Sequence, residues 1–138
     1  MVFASDVDEK ACQTLEKVVR DNDLSGAISV FQKDFFDLVP SRVNGLKKTK
    51  GEGLIVLNPP YGRRLKTRKE SEKVFVEICR KLKKDFKGWK VALIAPRKKL
   101  VRKIPFIVTA HDFFHGGLKV TLLTGRVRDT KRRQAGKA

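Results

Sequence analysis

The chain has 138 residues, 41% of them apolar, which is enough for one domain with a real core and excludes a disordered polyelectrolyte. Its 32 Lys and Arg against 15 Asp and Glu leave a net charge of +17, a balance that favours a polyanionic partner, nucleic acid first. An acidic membrane surface is disfavoured, because there is no signal peptide, no long apolar run and no basic amphipathic helix with exposed aromatics; the expected location is cytoplasmic.

In chain order, Val2-Phe3-Ala4-Ser5-Asp6 reads as a short strand that ends in an acid. From Val7 the spacing of Ala11, Leu15, Val18 and Val19 predicts one apolar face of a helix. Asp6 and Glu9 have capping-box-like spacing, so Asp6 is either an N-cap or an acid at a strand end placed to accept from ribose hydroxyls. Asn22 to Gly26 is a turn, and Ala27 to Gln32 a second strand. Asp34 and Phe35 follow that strand; the pair is either a solvated turn acid beside a core ring, or an acceptor for an adenine amino group beside a ring that lines the base. Pro40 to Lys50 is polar and basic, as a surface loop would be. The next residues, Gly51-Glu52-Gly53, precede a strand instead of joining strand to helix, which argues against a phosphate loop.

Leu54-Ile55-Val56-Leu57 is a continuous apolar run, the pattern of a strand buried on both faces. Asn58-Pro59-Pro60-Tyr61 must end it, because consecutive prolines cannot donate to a ladder and Asn58 is pushed out of helical geometry. An amide and an aromatic ring therefore sit on a stiff turn at a strand's carboxyl end, the edge at which open parallel sheets bind ligands. Such a turn suits a planar amino group. Arg63, Arg64, Lys66, Arg68 and Lys69 follow, either as a solvated face or as cations at the mouth of a site that meets phosphates.

A helix is predicted from about Glu70 to Phe86, with Phe75, Ile78, Cys79, Leu82 and Phe86 on one face, lysines opposite and Gly88 after it. Lys90 to Ala95 is another buried strand, and Pro96-Arg97-Lys98-Lys99 again puts cations at a strand's carboxyl end. Phe106 to Phe114 and Leu118 to Val127 are joined by His115-Gly116-Gly117, the signature of an antiparallel hairpin. His111 and His115 lack a ligand set, and no metal site is expected. Cys12 and Cys79 have no metal-ligand spacing and each fits a helix's apolar face, so both are expected to be reduced core residues. Residues 128–138 form a basic tail after a folded region 1–127.

Alternating strands and helices followed by a hairpin imply an α/β fold, a mostly parallel sheet with helices on its faces. Asp6, Asp34, Asn58 and Arg97 would share one carboxyl edge, with Arg97 and Lys98 joining Arg63, Arg64 and Lys66 as the expected RNA contacts.

These residues resemble the class I S-adenosylmethionine-dependent methyltransferases, with their Rossmann-like sheet. Asn58-Pro59-Pro60-Tyr61 is similar to their amino-group-methylating motif, and its continuation through Gly62-Arg63-Arg64-Leu65 resembles the THUMP-associated RNA methylase family. The resemblance covers nearly the whole chain up to the hairpin. The eight-residue string is fairly specific, whereas the tetrapeptide also occurs in DNA adenine and release-factor glutamine methyltransferases. The resemblance implies N-methylation of an exocyclic amine in RNA, with guanine N2 of 23S ribosomal RNA as the substrate and S-adenosylmethionine as the cofactor. Asn58 and the Pro59 carbonyl would accept hydrogen bonds from the target amine and Tyr61 would stack on the base. Asp6 would hold the cofactor ribose, and Asp34 with Phe35 its adenine.

One departure matters. The family's domains open with a strand and a glycine-rich loop, of the Asp-Pro-Phe-Cys-Gly-Ser-Gly kind, and this sequence contains no such segment; the THUMP domain is absent too. The expectation is a sheet lacking its first strand, with an open apolar edge on Val2–Ser5 and on Leu54–Leu57, covered by direct pairing of the two, by another copy or by an N-terminal segment. The alternatives to RNA methylation are a non-catalytic RNA-binding remnant of such a domain, or methylation of DNA adenine or protein glutamine. Calorimetry on these 138 residues alone should show weak or no S-adenosylmethionine binding, and micromolar affinity would overturn that expectation.

Overall fold

The computed structural model describes residues 1–43, 45–46, 53–59, 67–95 and 97–128. They fall into two compact units, Met1–Asn44 and Gly45–Ala138.

The first unit is a βαβ turn: β1 (Val2–Asp6), α1 (Glu9–Asp21) and β2 (Ile28–Gln32), with β1 and β2 parallel and in register from Val2 on Ile28 to Asp6 on Gln32. The N-cap of α1 is Asp8, whose carboxylate accepts from the Lys10 N–H at 2.9 Å. Asp6 is not the cap: its Oδ1 accepts from the Asp8 N–H, closing the turn that leads into the helix. The expected Asp6–Glu9 capping box is therefore not formed; the cap is Asp8, two residues on, which has the extended backbone that a cap requires. The apolar face of α1 is also narrower than its spacing suggests. Val19 is buried, together with Cys12, while Ala11, Leu15 and Val18 are exposed. A two-stranded sheet offers too little surface to cover a full helical stripe.

The second unit is a four-stranded sheet in the order β3-β4-β6-β5, from β3 (Leu54–Leu57), β4 (Lys90–Ala95), β5 (Val108–His115) and β6 (Leu118–Arg126). β3 and β4 are parallel, joined through α2 (Arg68–Asp85), and the β5–β6 hairpin is added antiparallel to β4. The hairpin turn is Gly116-Gly117, both at positive φ, which two-residue turns of this twist require. His115 belongs to the strand, facing Leu118.

α2 begins two residues earlier than its apolar spacing implies, because Thr67 and Glu70 form a reciprocal capping box. Its face behaves as expected: Phe75, Ile78, Cys79, Leu82 and Phe86 are all buried. With Val91, Leu93 and Ala95 of β4 and Leu123 of β6 they make up the core of this unit. Cys79 and Cys12 are both free and buried, and burial pushes the Cys79 thiol up to about 12, so it stays protonated and inert at neutral pH.

The expectation that β3 is buried on both faces is corrected. Leu54 and Val56 are 61% and 69% exposed, whereas Ile55 and Leu57 are half-buried. Among the described residues β3 has one strand neighbour, β4, and β1 likewise has only β2, so both are edge strands of their sheets. Ile55 and Leu57 are in register with Val91 and Leu93 and share their covered face; Leu54 and Val56 alternate to the other.

Gly53 enters β3 beside Trp89, which stands edge-on to Phe86 with ring centroids 5.5 Å apart. A Cβ at Gly53 would fall within the Trp89 ring. The approach lets the Lys90 N–H donate to the Gly53 carbonyl at 2.8 Å, the first bond of the β3–β4 pairing. Gly53→Ala should lower unfolding stability by about 1–3 kcal/mol, because the buried indole cannot move aside without strain. Urea denaturation of the two forms checks this.

Candidate active site

In the first unit the parallel register puts Asp6 at the end of β1 and Asp34 just beyond the end of β2, on the same carboxyl edge. Each carboxylate spends one oxygen on its own backbone turn. Asp6 Oδ1 takes the Asp8 N–H at 2.9 Å; Asp34 Oδ1 takes the Phe36 N–H at 2.8 Å and caps a short 3-10 helix, Phe35–Asp37. Both side chains are exposed, and the second oxygen of each has no described partner. Phe35 is half-buried and meets Phe36 edge-on at 5.7 Å. Two acceptors of fixed direction beside an aromatic ring can take a diol and an amino group, so the residues present fit the nucleoside half of S-adenosylmethionine.

In the second unit Asn58 leaves β3 immediately after Leu57, which is in register with Leu93 of β4. Asn58 is exposed and Pro59 is buried, so the turn is anchored by the proline while the amide faces outward. The Asn58 side chain has no hydrogen-bond partner among the described residues. Among the described residues nothing competes for its Oδ1, which can accept from a planar amine. Tyr61, Arg63, Arg64 and Lys66 lie outside the described residues, as do Pro96 and the tail from 129 onward.

Arg97 and Lys98 follow β4 on the same edge as Asn58. Arg97 is half-buried and lies 3.8 Å from Glu72 of α2, and Lys98 lies 3.5 Å from Asp112 of β5. Asp112 is the centre of a small network: Thr121, opposite it on β6, donates to it at 2.8 Å, and Lys119 lies 3.5 Å away. The Thr121 hydrogen bond chiefly, and then Lys98 and Lys119, hold the Asp112 carboxyl below the usual range. Neither Glu72 nor Asp112 stood out in the sequence. A lone acid inside the apolar Phe106–Phe114 run was the one available sign of Asp112.

A parallel βαβ unit with acids at its strand ends, and a second with an Asn-Pro turn, cations and an antiparallel hairpin, are elements of the Rossmann-like class I methyltransferases. The solved structure of SMU.472, provisionally called a methyltransferase and crystallised with SAH, superposes with a TM-score of 0.73 at 21% identity over 94% of this chain and 32% of that one. Residues 1–106 match the RMKL-like methyltransferase domain family, and the chain belongs to that family. A Synechocystis protein provisionally named an RNA methyltransferase is 28% identical over 88% of this chain and 30% of its own length. The ribosomal RNA large subunit methyltransferase K/L of Shewanella sp. MR-4 is 33% identical over 59% of this chain and 12% of its own. The chain thus spans less than a third of the length of these curated relatives.

The Asp112 network gives a pH-dependent contribution of known sign. A carboxyl held below its unfolded value of 3.8 stabilises the fold above that value and loses the contribution as pH falls through the lower, folded one. Asp112→Asn should therefore lower the melting temperature at neutral pH, and the gap from wild type should close in acid. Paired melts across that pH range check it.

Proposed function

We propose that this chain carries the target-base and nucleoside-binding parts of an S-adenosylmethionine-dependent RNA methyltransferase acting on an exocyclic amine, with guanine N2 of 23S ribosomal RNA as the substrate. Residues 1–127 would belong to the catalytic domain and 128–138 to a basic extension. The observation that carries the proposal is the Asn58-Pro59 turn: an exposed amide at a strand's carboxyl end, without a hydrogen-bond partner among the described residues and followed by a buried proline. The family, the names of the relatives and the +17 charge all support it.

Bound S-adenosylmethionine supplies an electrophilic methyl group. The residues of this chain hold the two partners. An exocyclic guanine amine is a weak nucleophile, because its lone pair is delocalised into the ring. Asn58 Oδ1 and the Pro59 carbonyl accept from its two N–H groups, favour the pyramidal nitrogen and stabilise the positive charge that grows on it. Tyr61 would stack on the base, and Asp6, Asp34 and Phe35 would hold the cofactor's ribose and adenine. Arg63, Arg64, Lys66, Arg97 and Lys98 would face phosphates at the mouth. This account calls for no His or Lys base.

Asn58→Ala in the full-length protein should cut radiolabelled methyl transfer to 23S RNA by about 100-fold or more while leaving RNA affinity near wild type. Transfer to release factor or to DNA in preference to ribosomal RNA would overturn the substrate assignment. The +17 charge favours a second reading, a non-catalytic RNA-binding module. RNA binding with no methyl transfer in the full-length wild type would select it.

A further inference from the structure

A concavity of 340 Å³ runs along the outer side of α2, where Lys69, Lys73 and Arg80 of the helix meet Lys103 from the 3-10 helix Lys98–Lys103. Lys69, Lys73 and Arg80 follow one another at spacings of four and seven residues and form one stripe, about 16 Å long at the helical rise. All four cations are exposed. Two acids, Glu72 and Glu77, share the concavity. Glu72 is already engaged, lying 3.8 Å from both Arg97 and Lys103. Lys69, Lys73 and Arg80 have no ion pair among the described residues.

Four cations against two acids on a concave wall leave an excess of positive charge that attracts anions. The shape of the array selects among those anions. A single compact phosphate would need convergent donors, and of the first N–H groups of α2 that of Glu70 is already taken by the Thr67 hydroxyl. A lipid surface would need apolar side chains to insert, and Val76 is the only apolar one among the described lining residues. A stripe of cations spaced by helical turns suits a repeating anion. The stripe is also well placed: α2 follows the turn after β3, and the Glu72 contacts tie its first turns to the segment after β4.

We propose that this groove is the track for the RNA sugar-phosphate backbone that flanks the target nucleotide. Lys69, Lys73 and Arg80 face successive phosphates, and Glu72 is a positioning residue that holds Lys103 at the rim. The proposal rests on the reading of RNA as the partner. It assigns the main backbone contact to α2, whereas Arg97 and Lys98 are partly neutralised by Glu72 and Asp112.

Fluorescence anisotropy with a labelled ribosomal RNA stem-loop over a salt series tests it. Lys73→Gln with Arg80→Gln removes two groove charges; Lys10→Gln with Lys17→Gln removes two exposed charges from α1 and leaves the same net charge. The groove pair should flatten the log–log salt slope by about 1.4–1.8 and weaken binding roughly 25-fold at the low end of a tenfold salt range. The α1 pair should change affinity less than twofold. Glu77→Gln, which removes an anion from the groove, should tighten binding several-fold. Equal losses for the two pairs, or no change for the groove pair and Glu77→Gln alike, would overturn the groove. Wild-type protein that binds RNA without a steep salt slope, or not at all, would instead sink the RNA reading itself.

Discussion

The β3–β4 pairing is the constraint on which the second unit depends, because it is fixed at both ends by residues that tolerate no replacement in kind. At its start Gly53 lies against Trp89, an approach possible only without a Cβ, and its carbonyl receives the Lys90 N–H. At its end Pro59 stops the ladder and is buried. A strand of four residues held between these points has one register, Leu57 on Leu93, and so one place from which Asn58 can leave the sheet. The same β4 carries the hairpin on its other side, in register from Lys90 on Arg126 to Ala95 on Thr121. The direction of the Asn58 amide is set by packing around a tryptophan at the opposite end of the strand.

The carboxylates of this unit give order to an otherwise repulsive charge distribution. Glu72 gathers Arg97 and Lys103, and Asp112 gathers Lys98 and Lys119, which ties the segment after β4 to α2 on one side and to the hairpin on the other. These pairs are partly exposed, and each contributes little alone. Their effect is geometric: they determine which cations are held and which remain to meet an external anion.

Much of this was legible in the sequence, for identifiable reasons. α2 and β4 were readable because their apolar residues face a common core and the period survives intact from Phe75 to Phe86. Asn58-Pro59 was readable because proline imposes its geometry locally. α1 misled because Ala11, Leu15 and Val18 keep a helical period without anything described to cover them. The spacing of Asp6 and Glu9 pointed to Asp6 as the cap, and the actual cap, Asp8, shows itself only in the backbone, by its extended φ and ψ. The 3-10 helix Lys98–Lys103 was hidden by its own lysines, with Leu100 its one buried residue. Ion-pair partners such as Glu72 and Arg97 are distant in sequence and carry no local pattern.

Cys12 and Val19 are the buried apolar side chains of β1, α1 and β2, and two parallel strands with one helix have little stability to spare. Yet Asp6 and Asp34, the acids suited to a nucleoside, both stand on this lightly packed unit. If this unit holds a nucleoside as proposed, folding and ligand capture would be thermodynamically linked: part of the intrinsic binding energy would go into ordering the strands that present the two carboxylates. The occupied unit would be firmer than the empty one, and its apparent affinity would reflect the fraction of molecules already ordered.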